Sequence, residues 1–352
     1  MLAPRRLAGW LALAILLALP ALAALWSAVL DTAFLVEFLS DHRWRPLTAL
    51  APAPVRLPLL AGTPAREVPA DLYERPALWR PPALVLVHGL SPLGKNDRRL
   101  RQAAVLLTRA GWTVAVPTVG GLTTLRLRPE DAETVTAAVE ALADAGYPRA
   151  ALLGISVGAG PALLAAAHPE TAPRVSAVMA LGGYASAVEL LRYTLTGAYR
   201  FEGVEGRRPV DPEAIARFAR ANQDLLDSPG RRLVSNRDPG EFDRLAAELP
   251  PASRQLLDDL SPERIVGRLR APLFLVHGRD DPAVPFTESL RLRHSAQAAG
   301  RESRLTIVGA VGHVEPEARA GLRDLARLWA AYYAFRARAE RGAWGGITTW
   351  GG

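Results

Sequence analysis

The stretch Arg149–Ala167, RAALLGISVGAGPALLAAA, decides how the rest of the chain is read, and its centre is Gly154-Ile155-Ser156-Val157-Gly158. The apolar residues Ala150–Leu153 read as a buried strand, and the small-residue run after Ser156 reads as a helix with Pro161 early in it, where a missing amide costs least. A serine on so tight a strand-to-helix turn is held in a strained backbone conformation that lifts its hydroxyl above the sheet. Glycines two positions before and two after remove side chains that would collide with strand and helix. Ser156 is therefore a candidate nucleophile; the competing reading is a glycine turn that serves only close packing.

Outward from this turn, short apolar runs alternate with helical patterns. ALVLVHG (Ala83–Gly89), WTVAVPTVGG (Trp112–Gly121), RVSAVMALGG (Arg174–Gly183), APLFLVHG (Ala271–Gly278) and SRLTIVG (Ser303–Gly309) are apolar almost throughout. Strands buried on both faces have this composition. Helical patterns cover Arg98–Ala110, Pro129–Ala145 and Glu317–Arg338. The alternation predicts an α/β fold with a mostly parallel sheet covered by helices on both faces, its site at the carboxyl ends of the strands. The proline-rich region before it reads as linker plus edge strands, with Ala53–Leu60 and Arg66–Arg75 the extended pieces. Residues 185–270 break the rhythm and read as a helical cap inserted between two strands, with Tyr184, Arg192, Tyr193, Tyr199 and Arg200 where it could line a pocket. The predicted division is 1–30, membrane anchor or signal peptide; 31–82, linker and first strands; 83–184 with 271–340, the core; 185–270, the cap; and 341–352, a mobile glycine-rich tail.

Arg5 and Arg6 precede an uncharged run from Leu7 to Leu30. At about 1.5 Å per residue such a run can cross a hydrocarbon layer of about 30 Å. It predicts one N-terminal transmembrane helix; the alternative is a signal peptide cut after Ala21-Leu22-Ala23. Either reading exports the following domain, to the periplasm or cell exterior, anchored or secreted. Phe34, Leu35, Phe38 and Leu39 then form an apolar face that belongs either to an interfacial helix or to the start of the globular packing.

Composition narrows the chemistry. The net charge of +7 is almost all arginine, Lys95 being the one lysine, and the arginines are scattered among acidic residues, which predicts no nucleic-acid partner. No cysteine is present, which removes disulfides and thiolate catalysis. No clustered histidines and carboxylates have metal spacing, so neither metal nor cofactor is expected.

A serine hydroxyl needs a base. Of the six histidines, His88 and His277 each sit in VHG at a strand end, where structural hydrogen bonds are common, whereas His313 lies in the loop GAVGHVEP after the last strand. His313 is the preferred base, with His277 the alternative. An acid that orients it is offered by Asp280 or Asp281 in HGRDDPAVP, with Glu189 and Glu315 less well placed.

With these motifs in this order the sequence resembles the α/β-hydrolase superfamily of serine hydrolases, over about Leu84 to Leu328. HGL (His88–Leu90) resembles the oxyanion loop, GISVG the nucleophile elbow, HGRDDPAVP the family's H-G-x-x-D-x-x-V-P segment, and GHVEP the histidine loop. The loop after HGL is most similar to the dienelactone-hydrolase and peptidase-like branches. The resemblance implies Ser156 as nucleophile, His313 as base and Asp281 as acid. It implies an oxyanion hole of the Leu90 and Val157 amides, supported by His88, Gly89, Gly154 and Gly158. A serine at the elbow argues against dehalogenases and epoxide hydrolases, which use a carboxylate. The expected activity is cleavage of an ester, before an amide or thioester, in a small or lipid-like acyl substrate. The alternatives are an acyltransferase with the same triad and a non-catalytic protein of the same fold.

Overall fold

Side chains of a strand alternate between faces, and in this chain both faces are buried. In β3 (Ala83–Val87) all five residues are buried; Ala83, Val85 and Val87 enter one apolar cluster, while Leu84 and Leu86 enter another. The computed structural model describes residues 4–63, 66–77, 80–309, 311–313 and 321–344. Its strands are β1 (Val55–Thr63), β2 (Arg66–Glu74), β3, β4 (Thr113–Pro117), β5 (Ala150–Ile155), β6 (Val175–Leu181), β7 (Ala198–Phe201), β8 (Val204–Arg207), β9 (Leu273–Gly278) and β10 (Ser303–Val308). Eight of them form one sheet in the order β1-β2-β4-β3-β5-β6-β9-β10. Pairs β1–β2 and β2–β4 are antiparallel and the others parallel.

The helices are α1 (Pro4–Leu39), α2 (Pro46–Leu50), α3 (Arg98–Arg109), α4 (Gly120–Thr123), α5 (Asp131–Asp144), α6 (Ala159–Ala167), α7 (Ala187–Thr196), α8 (Pro212–Ala221), α9 (Ser228–Ser235), α10 (Pro239–Ala247), α11 (Pro251–Asp259), α12 (Thr287–Ala298) and α13 (Leu322–Trp344). Helices α5, α6 and α12 cover one sheet face, and α1, α3 and α13 cover the other. The fold is that of an α/β-hydrolase, with a mostly parallel sheet.

The expected transmembrane run, Leu7–Leu30, is described only in part. Among the described residues no helix is long and apolar enough to cross a membrane. The side chains of residues 1–17, 19, 20 and 23 lie outside the described residues, as do residues 345–352 of the expected tail and residues 314–320, where the last helix is predicted to begin. Helix α1 does not end near residue 30 but runs to Leu39. Its last turns belong to the globular packing, which settles the two readings of Phe34–Leu39. Leu30, Ala33 and Leu35 are buried, and Phe34 stacks on Tyr332 of α13 with ring centroids 4.7 Å apart. Asp31, fully buried, pairs with Arg336, which also donates to the carbonyl of Ala110.

The insertion also departs from expectation, since it is not all helical. It carries the hairpin β7–β8 among helices α7 to α11. Leu195, Ile215, Leu233 and Phe242 give it a small apolar cluster of its own.

The Asp31–Arg336 pair makes α1 docking sensitive to pH. Burial pushes the Asp31 carboxyl up to about 6, with the Arg336 charge limiting the rise. A folded-state value above the unfolded one means that this group's contribution to stability is full below about pH 4 and is lost as pH rises through 6. Urea unfolding at pH 4 and pH 7 should therefore show stability falling with pH in the wild type relative to Asp31→Asn, which removes the titration. Parallel pH dependences in the two proteins would contradict this.

Candidate active site

Strand β5 ends at Ile155 and the next residue, Ser156, takes a left-handed backbone with φ of 55°. A non-glycine residue there costs about 1–3 kcal/mol and persists only where its surroundings enforce it. The enforcement is steric. A Cβ on Gly154 would lie 2.5 Å from the Ala159 Cα, and one on Gly158 would lie 2.2 Å from the His88 carbonyl oxygen. Both glycines let helix α6 start immediately beside β3 and β5. A Cβ on Gly89 would lie 3.1 Å from the Ser156 Cβ, which puts the loop after β3 against the serine.

His313, after β10, brings its Nε2 to 2.7 Å from the Ser156 Oγ, and its Nδ1 to 2.7 Å from the Asp281 Oδ2. The partners fix the proton positions: the serine hydroxyl donates to Nε2, and Nδ1–H donates to the carboxylate. Asp281, just beyond β9, is 1% exposed. Its Oδ1 accepts from the amides of Ala283 at 2.8 Å and Val284 at 2.9 Å. Burial alone pushes the Asp281 carboxyl up, but hydrogen bonds from His277 and His313 hold it down at about 2. Asp281 is thus an anion under all ordinary conditions. Asp280 points away and pairs with Arg208 on the surface, while Glu189 pairs with Arg192. Glu315 lies outside the described residues.

The two VHG histidines hold the loops at the ends of β3 and β9. His277, fully buried, has its Nδ1 2.7 Å from the Ser289 hydroxyl and its Nε2 2.9 Å from the Val284 carbonyl, with the Asp281 Oδ2 at 3.4 Å. His88 accepts from the Val119 amide at Nε2, 3.0 Å away, and donates from Nδ1 to the Gly89 carbonyl at 2.7 Å. Burial lowers its pKa, favouring this neutral form. The Gly89–Leu90 peptide is trans, so its N–H is directed opposite to its carbonyl. By holding the Gly89 oxygen, His88 turns the Leu90 amide away from itself. Val157, next to the serine, is buried in the first turn beyond it.

Sequence reasoning missed Gly182 and Glu288. Gly182, at the end of β6, has φ of 61°, and a Cβ there would lie 2.9 Å from the His313 carbonyl oxygen and 3.2 Å from the Asp281 Oδ2. The GG pair at Gly182-Gly183 was the available signal. Glu288, buried in α12, accepts from the amides of Ala185 and Ser186 where the insertion departs from the sheet, and burial pushes its carboxyl up to about 7. No sequence pattern marks it.

A cavity of about 560 Å³ opens beside Ser156 and His313. Its walls come from the sheet, the loop at Leu90, α1, α3 and α13. Among the described residues none from 185–270 lines it, so the insertion does not wall this cavity. Tyr184 is buried and donates to the Leu260 carbonyl, and Tyr193 donates to the Pro282 carbonyl. Arg192, Tyr199 and Arg200 line a separate surface hollow. The insertion folds on its own cluster, with Arg192 stacked over Phe242 within it and Tyr199 packed against Phe286 outside it.

Residues 245–335, which include Asp281 and His313 but not Ser156, match the prolyl oligopeptidase family. Comparison with curated proteins gives no match. Among solved structures, a puromycin-hydrolyzing peptidase of Mycobacterium tuberculosis is 22% identical with a TM-score of 0.54, over 81% of this chain and 39% of its own. A Pyrococcus horikoshii acylaminoacyl peptidase is 16% identical with a TM-score of 0.54, over 84% of this chain and 43% of its own. Dipeptidyl peptidase 4 of Porphyromonas gingivalis is 14% identical with a TM-score of 0.53, over 81% and 35% respectively. The chain therefore spans about two fifths of the length of these structures, and the likeness is one of fold.

Gly182→Val tests how the histidine is held. The β-branched side chain both strains the left-handed backbone and displaces His313. The downfield proton signal of its Nδ1–H against Asp281 should vanish while the far-ultraviolet circular dichroism stays native. Retention of that signal would show that Gly182 does not set the histidine's position.

Proposed function

We infer that this chain, an α/β-hydrolase by fold, is a serine hydrolase that cleaves an acyl ester or amide through a covalent acyl-enzyme. The observation that carries this reading is the continuous hydrogen-bonded line from Asp281 through His313 to Ser156, on a serine whose backbone is strained.

In the first half-reaction the Ser156 Oγ attacks the acyl carbonyl carbon while His313 Nε2 takes its proton. The resulting imidazolium is stabilised by the Asp281 anion, which keeps Nδ1–H engaged and the ring oriented. The amides of Leu90 and Val157 receive the developing oxyanion, each worth about 3 kcal/mol in sites of this kind. Collapse of the tetrahedral species breaks the bond to the leaving group, which takes the proton from His313. Water then gives its proton to His313, attacks the acyl carbon, and releases the acid with Ser156 restored.

The sequence alone favours an ester over a peptide bond. The match to the prolyl oligopeptidase family and the three peptidase structures support the amide reading as well, and weaken the preference for esters. A p-nitrophenyl acetate assay set beside an N-acyl amino-acid p-nitroanilide assay separates the two.

Ser156→Ala should lose turnover by about 10⁶-fold, and Asp281→Asn by about 10⁴-fold, as in other triads. A fluorophosphonate probe should label the wild type on Ser156 and leave Ser156→Ala unlabelled. Equal labelling of the two proteins would remove Ser156 as nucleophile.

A further inference from the structure

We propose that the cavity beside Ser156 holds a long acyl chain, the part of the substrate that becomes bonded to Ser156, and that α1 forms its roof. This rests on the hydrolase reading above and names the substrate class for that site.

The floor is one face of the sheet. Leu86, Leu153 and Met179 are register partners on β3, β5 and β6 and form a first row. Ile155, Leu181 and Val276 are partners on β5, β6 and β9 and form a second row, nearer the carboxyl ends and adjoining Ser156. All six line the cavity, so an apolar track leads from the nucleophile back along the strands. The roof is Phe34 and Phe38 of α1, with Leu107 of α3 and Leu328 and Tyr332 of α13 along the sides.

This floor selects against a peptide. Along the floor the backbone amides and carbonyls are engaged between neighbouring strands, and the lining side chains there are hydrocarbon or thioether. A polypeptide laid along it would bury its own amides without partners, whereas a polymethylene chain has none to bury. A protein interior is normally close-packed, and a cavity of about 560 Å³ is of the size that holds small-molecule ligands. Ser156 and His313 mark where the reacting carbonyl belongs; the other polar lining residues, among them Asp41, His42, Asp97, Arg99 and Gln102, come from the segment after α1, the loop after β3 and α3 rather than from the floor. The acyl group is assigned to the track because it stays attached through both half-reactions. The leaving group must depart, and water must reach the acyl carbon beside His313 in its place.

The test uses the full chain and p-nitrophenyl esters of acetate, octanoate and dodecanoate, with dodecyl acetate as the reversed arrangement. kcat/KM should rise at least tenfold from acetyl to dodecanoyl, while dodecyl acetate gains nothing over ethyl acetate. Ala103→Trp, which places a ring into the cavity from α3, should lower the dodecanoyl-to-acetyl ratio at least tenfold. Phe38→Ala, which opens the roof and removes only part of one contact surface, should move the optimum to longer acyl chains and serves if Ala103→Trp does not fold. Calorimetry of dodecanoate binding to Ser156→Ala reads the cavity independently of turnover. Binding without hydrolysis of any ester by the wild type overturns the hydrolase reading and leaves the acyl-chain site standing. Hydrolysis with a flat acyl series and no dodecanoate binding overturns the acyl-chain site and leaves the hydrolase. A dependence on alcohol length alone assigns the cavity to the leaving group and also overturns the proposal.

Discussion

Everything at the carboxyl edge of the sheet is arranged around one strained residue, Ser156, with its φ of 55°. A left-handed serine relaxes unless strand, turn and helix are all pinned, and here the pinning is close approach at three glycines. Gly154 lies against Ala159, Gly158 against the His88 carbonyl, and Gly183 against the Ala159 Cβ. Each approach excludes a side chain, so the helix α6 cannot shift without losing the packing of β3, β5 and β6 on which the core depends. Strain at Ser156 is thereby borne by the most buried part of the molecule.

The partner residues obey a second constraint, which is the cost of a buried anion. Asp281 is almost without solvent, and an unpaired carboxylate there would take up a proton. Two amides, the His313 ring and the nearby His277 ring together keep it charged. That arrangement needs the 311–313 segment pressed onto the ends of β6 and β9. Gly182 and Gly278 permit this, since a Cβ on Gly278 would lie 2.0 Å from the Gly312 carbonyl oxygen. The turn at the acid and the loop at the histidine are therefore one packed unit, even though 32 residues separate them in sequence.

This explains what was legible in the sequence. Continuous apolar strands and helical patterns fix the sheet and its order of elements because burial on both faces leaves so few alternatives. The glycines around Ser156 and the D-x-x-V segment after β9 are readable because backbone contact demands particular residues. Gly182 escaped notice because its requirement is set by His313, far along the chain. The lining of the cavity was not legible for a related reason. Phe34 and Phe38 advertise an apolar face but not its partner, and a hydrophobic run of that length matches a membrane span as well as a helix against a sheet. The insertion misled in the opposite direction: its tyrosines and arginines look like pocket residues, yet Arg192 packs over Phe242 of its own small core while Tyr193 and Arg208 anchor it near Pro282 and Asp280.

The reactive edge and the cavity roof are held by different forces, and this has a consequence for specificity. Ser156, His313 and Asp281 are placed by backbone contacts and short polar links within the sheet's carboxyl edge. Helix α1 is placed by side chains: Phe34 on Tyr332, the buried leucines, and one ion pair between Asp31 and Arg336. Side-chain packing tolerates changes of size far better than a left-handed serine tolerates changes of backbone. Substitutions along α1, α3 and α13 can therefore reshape the cavity without reaching Ser156, His313 or Asp281. Among the described residues, the helix that precedes the sheet lines the cavity beside Ser156, and the inserted segment does not.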